Sequence, residues 1–130
     1  PLFNKATSKI AAFLFVVPGV KGVLFGDDFI TDNLLGSTYN DVYVNEFGKT
    51  KTNHSGGFNG GLTNGNTLII NVDMRPASSI RKEQTTYNFE KKSLIPLLIN
   101  GRHDTFYQKR AQVVLEAIIA LALLDLRLDL

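Results

Sequence analysis

The sequence predicts an α+β fold, with an antiparallel sheet packed on long buried helices, and three observations predict it. Apolar residues recur at helical spacing near both ends of the 130-residue chain. Alternating β-prone runs lie between those ends. The links joining the runs are too short for the crossover of a dozen or more residues that parallel neighbours require. A chain of this length is expected to form a single domain, here 1–130, and to bury about two thirds of its unfolded surface, which is enough for a real core.

The first helix is expected from Phe3, Ala6, Ile10, Phe13, Leu14 and Val17, with Pro18-Gly19 stopping it at about Val17. Val20 to Gly26 is a short β-prone run, and Asp27-Asp28 can cap one turn of helix reaching Leu35. In the long polar connection that follows, Asp41 to Asn45 and Lys49 to Thr52 flank Phe47-Gly48 and read as a flexible hairpin or flap over about 38–53. Thr67 to Met74, Gln84 to Phe89 and Leu94 to Ile99 read as strands, and Pro96 demotes the last to an edge. From about Phe106 to Leu126 runs a second helix in which only Gln112 and Glu116 are polar between Ala111 and Leu124. A helix so apolar is expected to be buried on most sides, beneath a sheet or against another subunit.

Composition removes several function classes. Fourteen basic and 12 acidic residues leave a formal charge of +2, with no basic stripe interleaved with aromatics, so nucleic acid is not an expected partner. The absence of cysteine removes disulfides and thiolate chemistry and fits a cytoplasmic protein. The longest uncharged runs fall short of the roughly 18–20 apolar residues of a spanning helix, so no membrane segment is expected. Pro1-Leu2-Phe3 is neither a signal peptide nor an ordinary gene start, which suggests a fragment or a trimmed chain.

The candidate chemistry concerns anions. The Gly56-Gly57 and Gly60-Gly61 pairs imply positive φ or very close backbone approach, most simply by a ligand. Arg75-Pro76-Ala77-Ser78-Ser79 leaves a strand with hydroxyls and backbone N–H groups suited to an oxyanion, or is a plain serine turn. Arg102-His103-Asp104 puts a guanidinium, an imidazole and a carboxylate before the second helix. Arg102 could hold a phosphate while His103 or Asp104 moves or orients a proton; equally, Asp104 reads as a helix N-cap and Arg102 as a surface ion pair. His54 beside the glycines could be a base or a ligand, but the chain has only two histidines and no zinc-site spacing, so a surface or structural role is the better reading. P-loop, dinucleotide and nucleophile-elbow fingerprints are lacking.

The order of these features resembles a known family. Val20-Lys21-Gly22 and Phe25-Gly26-Asp27, Gly36-Ser37 with Asn40-Asp41, the segment from Asn53 to Gly65, Arg75 to Ile80, and Gly101 to Asp104 follow one another as in the C-terminal half of chorismate synthase, from about Leu2 to Asp125. The resemblance implies a carbon–oxygen lyase of the shikimate pathway that converts 5-enolpyruvylshikimate 3-phosphate to chorismate and phosphate. That reaction is an anti-1,4-elimination requiring reduced FMN without net redox change, with NADPH as a candidate reductant. It also implies a homotetramer and a fold in which this chain forms one half of a β-α-β sandwich. By matching motif, the flavin is expected at Pro18, Gly19, Gly60, Arg75, Pro76, Ala77, Ser78, Ser79 and Arg102. Asp104 is expected to pass protons, and His103 to orient rather than react.

Arg75 stands where the family usually has lysine, Ala77 replaces a threonine, Pro18-Gly19 an Asn-Ala-like pair, and Thr105 a proline. Loss of the hydroxyl at position 77 could remove a contact of roughly 0.5–1.5 kcal/mol. The family's two catalytic histidines and its substrate-binding arginines belong to the half this chain does not match, so the 130 residues are expected to be inactive alone. The alternatives are a non-catalytic anion- or nucleotide-binding module and an oligomerisation element.

Overall fold

The computed structural model describes residues 3–27, 33–102, 104 and 106–128. The chain is α+β and groups into two compact units, residues 1–75 with 112–130, and residues 76–111.

In the first unit, α1 spans Ala6–Phe15 and buries Ala6, Ile10 and Leu14, one face at i, i+4 and i+8. Its N-cap, Lys5, makes no side-chain cap, and the orphan N–H of Thr7 finds the Gly61 carbonyl at 3.2 Å. Phe3, expected in the helix, lies ahead of its observed start at Ala6. Beyond the helix, Gly19 at φ 97° turns the chain into β1, Val20–Phe25. The turn expected after Asp27 falls largely on residues 28–32, also outside the described residues. A four-residue helix, α2 (Gly36–Tyr39), follows.

The glycine segment contains a hairpin of two-residue strands, β2 (Phe58–Asn59) and β3 (Leu62–Thr63). β4 (Ile70–Met74) runs antiparallel to β1 with Val23 opposite Val72 and Phe25 opposite Ile70. One face of this pair packs through Val23, Phe25, Ile70 and Val72 on the core of Ile10, Leu14, Phe58 and Ala122. The ring of Phe25 meets Phe58 edge-to-face at 5.0 Å.

In the second unit, β5 (Gln84–Asn88) and β6 (Ser93–Leu97) form an antiparallel hairpin with Pro96 opposite Thr85. A two-stranded ribbon has only edges, so the missing N–H of Pro96 costs no central ladder bond. The last helix, α3, spans Gln108–Leu128, and in the first unit Lys9 of α1 pairs with its Asp125 at 2.7 Å. Burial of α3 departs from expectation. Among the described residues only Ala122 is fully buried, while Val113 is 71% and Leu121 53% exposed. An apolar circumference asks for cover on several sides, and one two-stranded sheet plus α1 covers only one of them.

Candidate functional site

The end of the β1–β4 pair brings two sequence-predicted positions together. The antiparallel register sets Val20 opposite Met74, and one step further the Arg75 N–H donates to the Gly19 carbonyl at 2.8 Å. Pro18 and Gly19 therefore adjoin the start of the Arg75-Pro76 turn, on the exposed rim of the first unit. The positive φ of Gly19 is what permits the reversal. Pro76, Ala77, Ser78, Ser79 and Arg102 belong to the second unit, where Arg81 Nε donates to the Gly101 carbonyl at 3.3 Å and steadies the loop carrying Arg102.

Gly60 is not beside Gly19. It occupies the β2–β3 turn, next to the residue whose carbonyl receives Thr7 at the start of α1, whereas Gly19 follows the other end of that helix. Ten helical residues span about 15 Å. Gly60 has φ 60°, and a Cβ built on it would meet nothing within 4 Å, so its surface is open to a ligand.

Most of the other glycines have a different purpose from the one expected. A Cβ on Gly56 would fall 2.4 Å from the Cα of Gly26, and one on Gly57 would fall 2.6 Å from the Thr67 carbonyl oxygen. The chain's own backbone, not a ligand, makes those close approaches. A Cβ on Gly61 would meet the side chain of Lys5.

Asp104 does not cap α3 directly. Its Oδ1 accepts the Phe106 N–H at 3.3 Å, a turn ahead of the helix, and its Oδ2 pairs with Arg110. With that pair largely exposed, the carboxylate remains reachable from solvent. His103 and Thr105 lie outside the described residues.

A polar cluster that the sequence did not single out organises the glycine segment. Asp41 accepts the His54 N–H and the Thr52 hydroxyl, both at 2.8 Å, on one oxygen, and the Ser55 N–H at 2.9 Å on the other. Burial is the strongest single influence and raises its pKa, but these hydrogen bonds together outweigh it and hold the carboxyl below its ordinary value. His54 Nδ1 bonds Asp27, and its ring stacks on Tyr39 with centroids 5.8 Å apart, so both partners fix the orientation of the imidazole. A cleft of about 450 Å3 opens between Thr7, Ser8, Tyr39 and Ser55 over the Phe25 and Phe58 rings. An adjoining cleft of about 380 Å3 extends past Asp41 and Asn59 to Gly60. Among the described residues no helix is long and apolar enough to cross a membrane, and no group of three or more His, Asp or Glu could hold a metal ion.

A family model described as chorismate synthase matches residues 1–128. The chain belongs to the chorismate synthase family. It is 42% identical over 128 residues to the chorismate synthase of Chitinophaga pinensis, covering 98% of this chain and 39% of that relative. It is 39% identical to the chloroplastic chorismate synthase of Capnoides sempervirens, over 96% of this chain and 28% of that one. To the chorismate synthase of Methanococcus aeolicus it is 40% identical, over 97% of this chain and 35% of the relative. The chain thus spans roughly a third of the length of these curated relatives.

Proposed function

We propose that this chain is the flavin-contacting C-terminal part of a chorismate synthase, a lyase that eliminates phosphate and a proton from 5-enolpyruvylshikimate 3-phosphate. The carrying observation is the 2.8 Å bond from Arg75 N–H to Gly19 O, which makes neighbours of two family flavin positions remote in sequence. The residues fit a phosphorylated aromatic cofactor. Arg75 and Arg102 are exposed guanidinium groups, permanently charged and shaped for phosphate, and Gly60 offers open backbone.

Reduced FMN, when bound, would supply an electron-rich ring beside the reacting carbons. The chain's own part is to hold and to move protons. Arg75, Ser78, Ser79 and Arg102 bind phosphate and ribityl oxygens, Pro18, Gly19, Pro76 and Ala77 give backbone contact, and Asp104 exchanges protons with the ligand while His103 orients it. The cysteine-free composition is consistent with a cytoplasmic enzyme. In the full-length enzyme, a homotetramer, the exposed faces of α3 lie in the inner layer of the β-α-β sandwich of which this chain forms one half.

The test is complementation in trans. The 130-residue chain with reduced FMN and substrate should form no chorismate, and adding the part of the Chitinophaga pinensis relative that it does not match should restore turnover. Turnover by the chain alone, or none from the mixture despite association, would overturn the reading.

A further inference from the structure

A closed ring of side chains ties the 41–52 hairpin to the turn bearing Gly60. Tyr43 lies opposite Thr50 in an isolated bridge, and its hydroxyl accepts from Asn59 Nδ2 at 3.0 Å. The other end of that carboxamide, Oδ1, accepts from Asn64 Nδ2 at 3.1 Å, and Asn64 Oδ1 in turn accepts from Asn66 Nδ2 at 3.1 Å. Asn66 returns to the hairpin, donating to the Gly48 carbonyl at 3.0 Å and accepting the Thr50 N–H at 3.2 Å. Asn59 also pairs with Leu62 across the two-residue turn formed by Gly60 and Gly61. Both polar ends of the Asn59 side chain are therefore engaged, immediately beside a glycine that has no side chain of its own to fix its orientation.

We infer that Tyr43 is a positioning residue for the Gly60 backbone, acting through Asn59, so that the hairpin sets how the glycine turn meets its ligand. This inference rests on the flavin reading only for the identity of that ligand. Tyr43 is 56% exposed, so replacing it by phenylalanine removes the hydroxyl without opening a core cavity. Removing one partner of an exposed hydrogen bond in a ring should weaken ligand binding by about threefold, not abolish it.

FMN titrated into the 130-residue chain supplies the first readout. Y43F should bind FMN about threefold more weakly, with a shifted visible absorption band at saturation and an unchanged melting temperature. N59A should lose at least as much, and the Y43F/N59A double variant should be no weaker than N59A, because both substitutions break one chain of contacts. Unchanged affinity and band in Y43F, or additive losses in the double variant, would overturn the inference. If the parent chain alone binds no FMN, amide hydrogen exchange of the ligand-free protein decides. Faster exchange confined to residues 58–63 in Y43F supports the positioning role, and unchanged exchange there refutes it.

Discussion

Gly26 and Gly56 touch backbone to backbone: a Cβ built on Gly26 would fall 2.0 Å from the His54 carbonyl oxygen, and one on Gly56 2.4 Å from Gly26 N. Their contact seals the end of β1 against the glycine segment, reinforced by Asp27 N–H to His54 O at 2.8 Å and Gly26 N–H to Ile69 O at 3.0 Å. Both glycines also hold positive φ, 87° and 61°. Gly26→Ala and Gly56→Ala each combine a left-handed penalty with hard overlap against backbone that cannot rotate away. Each should cost about 3 kcal/mol or more, read as a lowered denaturation midpoint with an unchanged slope.

Gly60→Ala separates conformation from contact. No atom stands within 4 Å of the added methyl, so stability should fall only by the left-handed penalty of about 1–2 kcal/mol at φ 60°. If the flavin lies against this turn, FMN affinity should fall by more than tenfold, whereas Gly36→Ala, at another glycine where an added Cβ meets nothing within 4 Å, should leave it unchanged. Parallel chemical denaturation and FMN titration of the two variants check this, and equal affinities would remove Gly60 from the site.

Part of this was legible in sequence. The ladder of Ile10 and Leu14 marks α1, and alternation marks β4, β5 and β6 to within a few residues, because apolar period is a local property. The hairpin at Phe58 to Thr63 was not legible, since two-residue strands carry no period. Nor was the Gly26–Gly56 contact, which depends on tertiary register and was read instead as room for a ligand. Asp41 stands in a recognisable Asn40-Asp41 pair, yet its use as a staple for His54 and Ser55 follows only from where the chain folds back. For α3, an apolar circumference tells that cover is needed but not which chain supplies it.

Asp41 gives the protein an acid-sensitive joint. Its folded carboxyl titrates below the ordinary value of 3.8 because the folded state donates to it from Ser55, Thr52 and His54. As pH falls, the unfolded chain takes up its proton first, so the stability that Asp41 contributes is fully present above the ordinary carboxylate value and is lost as pH drops through the lower, folded one. Asp41→Asn should destabilise the chain by about 1–2 kcal/mol at neutral pH, since one oxygen and the charge are lost from a partly exposed site. It should also flatten the loss of stability below about pH 5. Thermal melts of both proteins from pH 7 to 3 check the prediction; curves that remain parallel would assign the acid sensitivity to other carboxylates.

Lys92 is the one described non-glycine residue at positive φ, 48°, in the β5–β6 turn. The Asn88 side chain accepts the Lys91 N–H at 2.7 Å and holds that turn in place. Lys92→Gly removes a left-handed penalty of about 1–2 kcal/mol and gives back part of it as unfolded-state entropy. The hairpin should gain about 0.5 kcal/mol, seen as slower amide exchange across Gln84 to Leu97. Unchanged or faster exchange there would mean that lysine is not strained in this turn.

Arg75 and Arg102 are the two guanidinium groups to which the flavin proposal assigns the phosphate, and both are exposed. A guanidinium on a phosphate is a charge-assisted contact of roughly 1.5–3 kcal/mol, so Arg75→Ala and Arg102→Ala should each weaken FMN binding by about 10- to 100-fold. Arg75→Lys should recover most of the loss, since lysine keeps the charge that the phosphate needs. If both arginines hold one phosphate, the double variant should lose less than the product of the single losses, because the first substitution already loosens the group that the second would have held. Independent, multiplicative losses would mean that the two arginines engage separate parts of the ligand. A loss at only one of them would take the other out of the flavin site altogether.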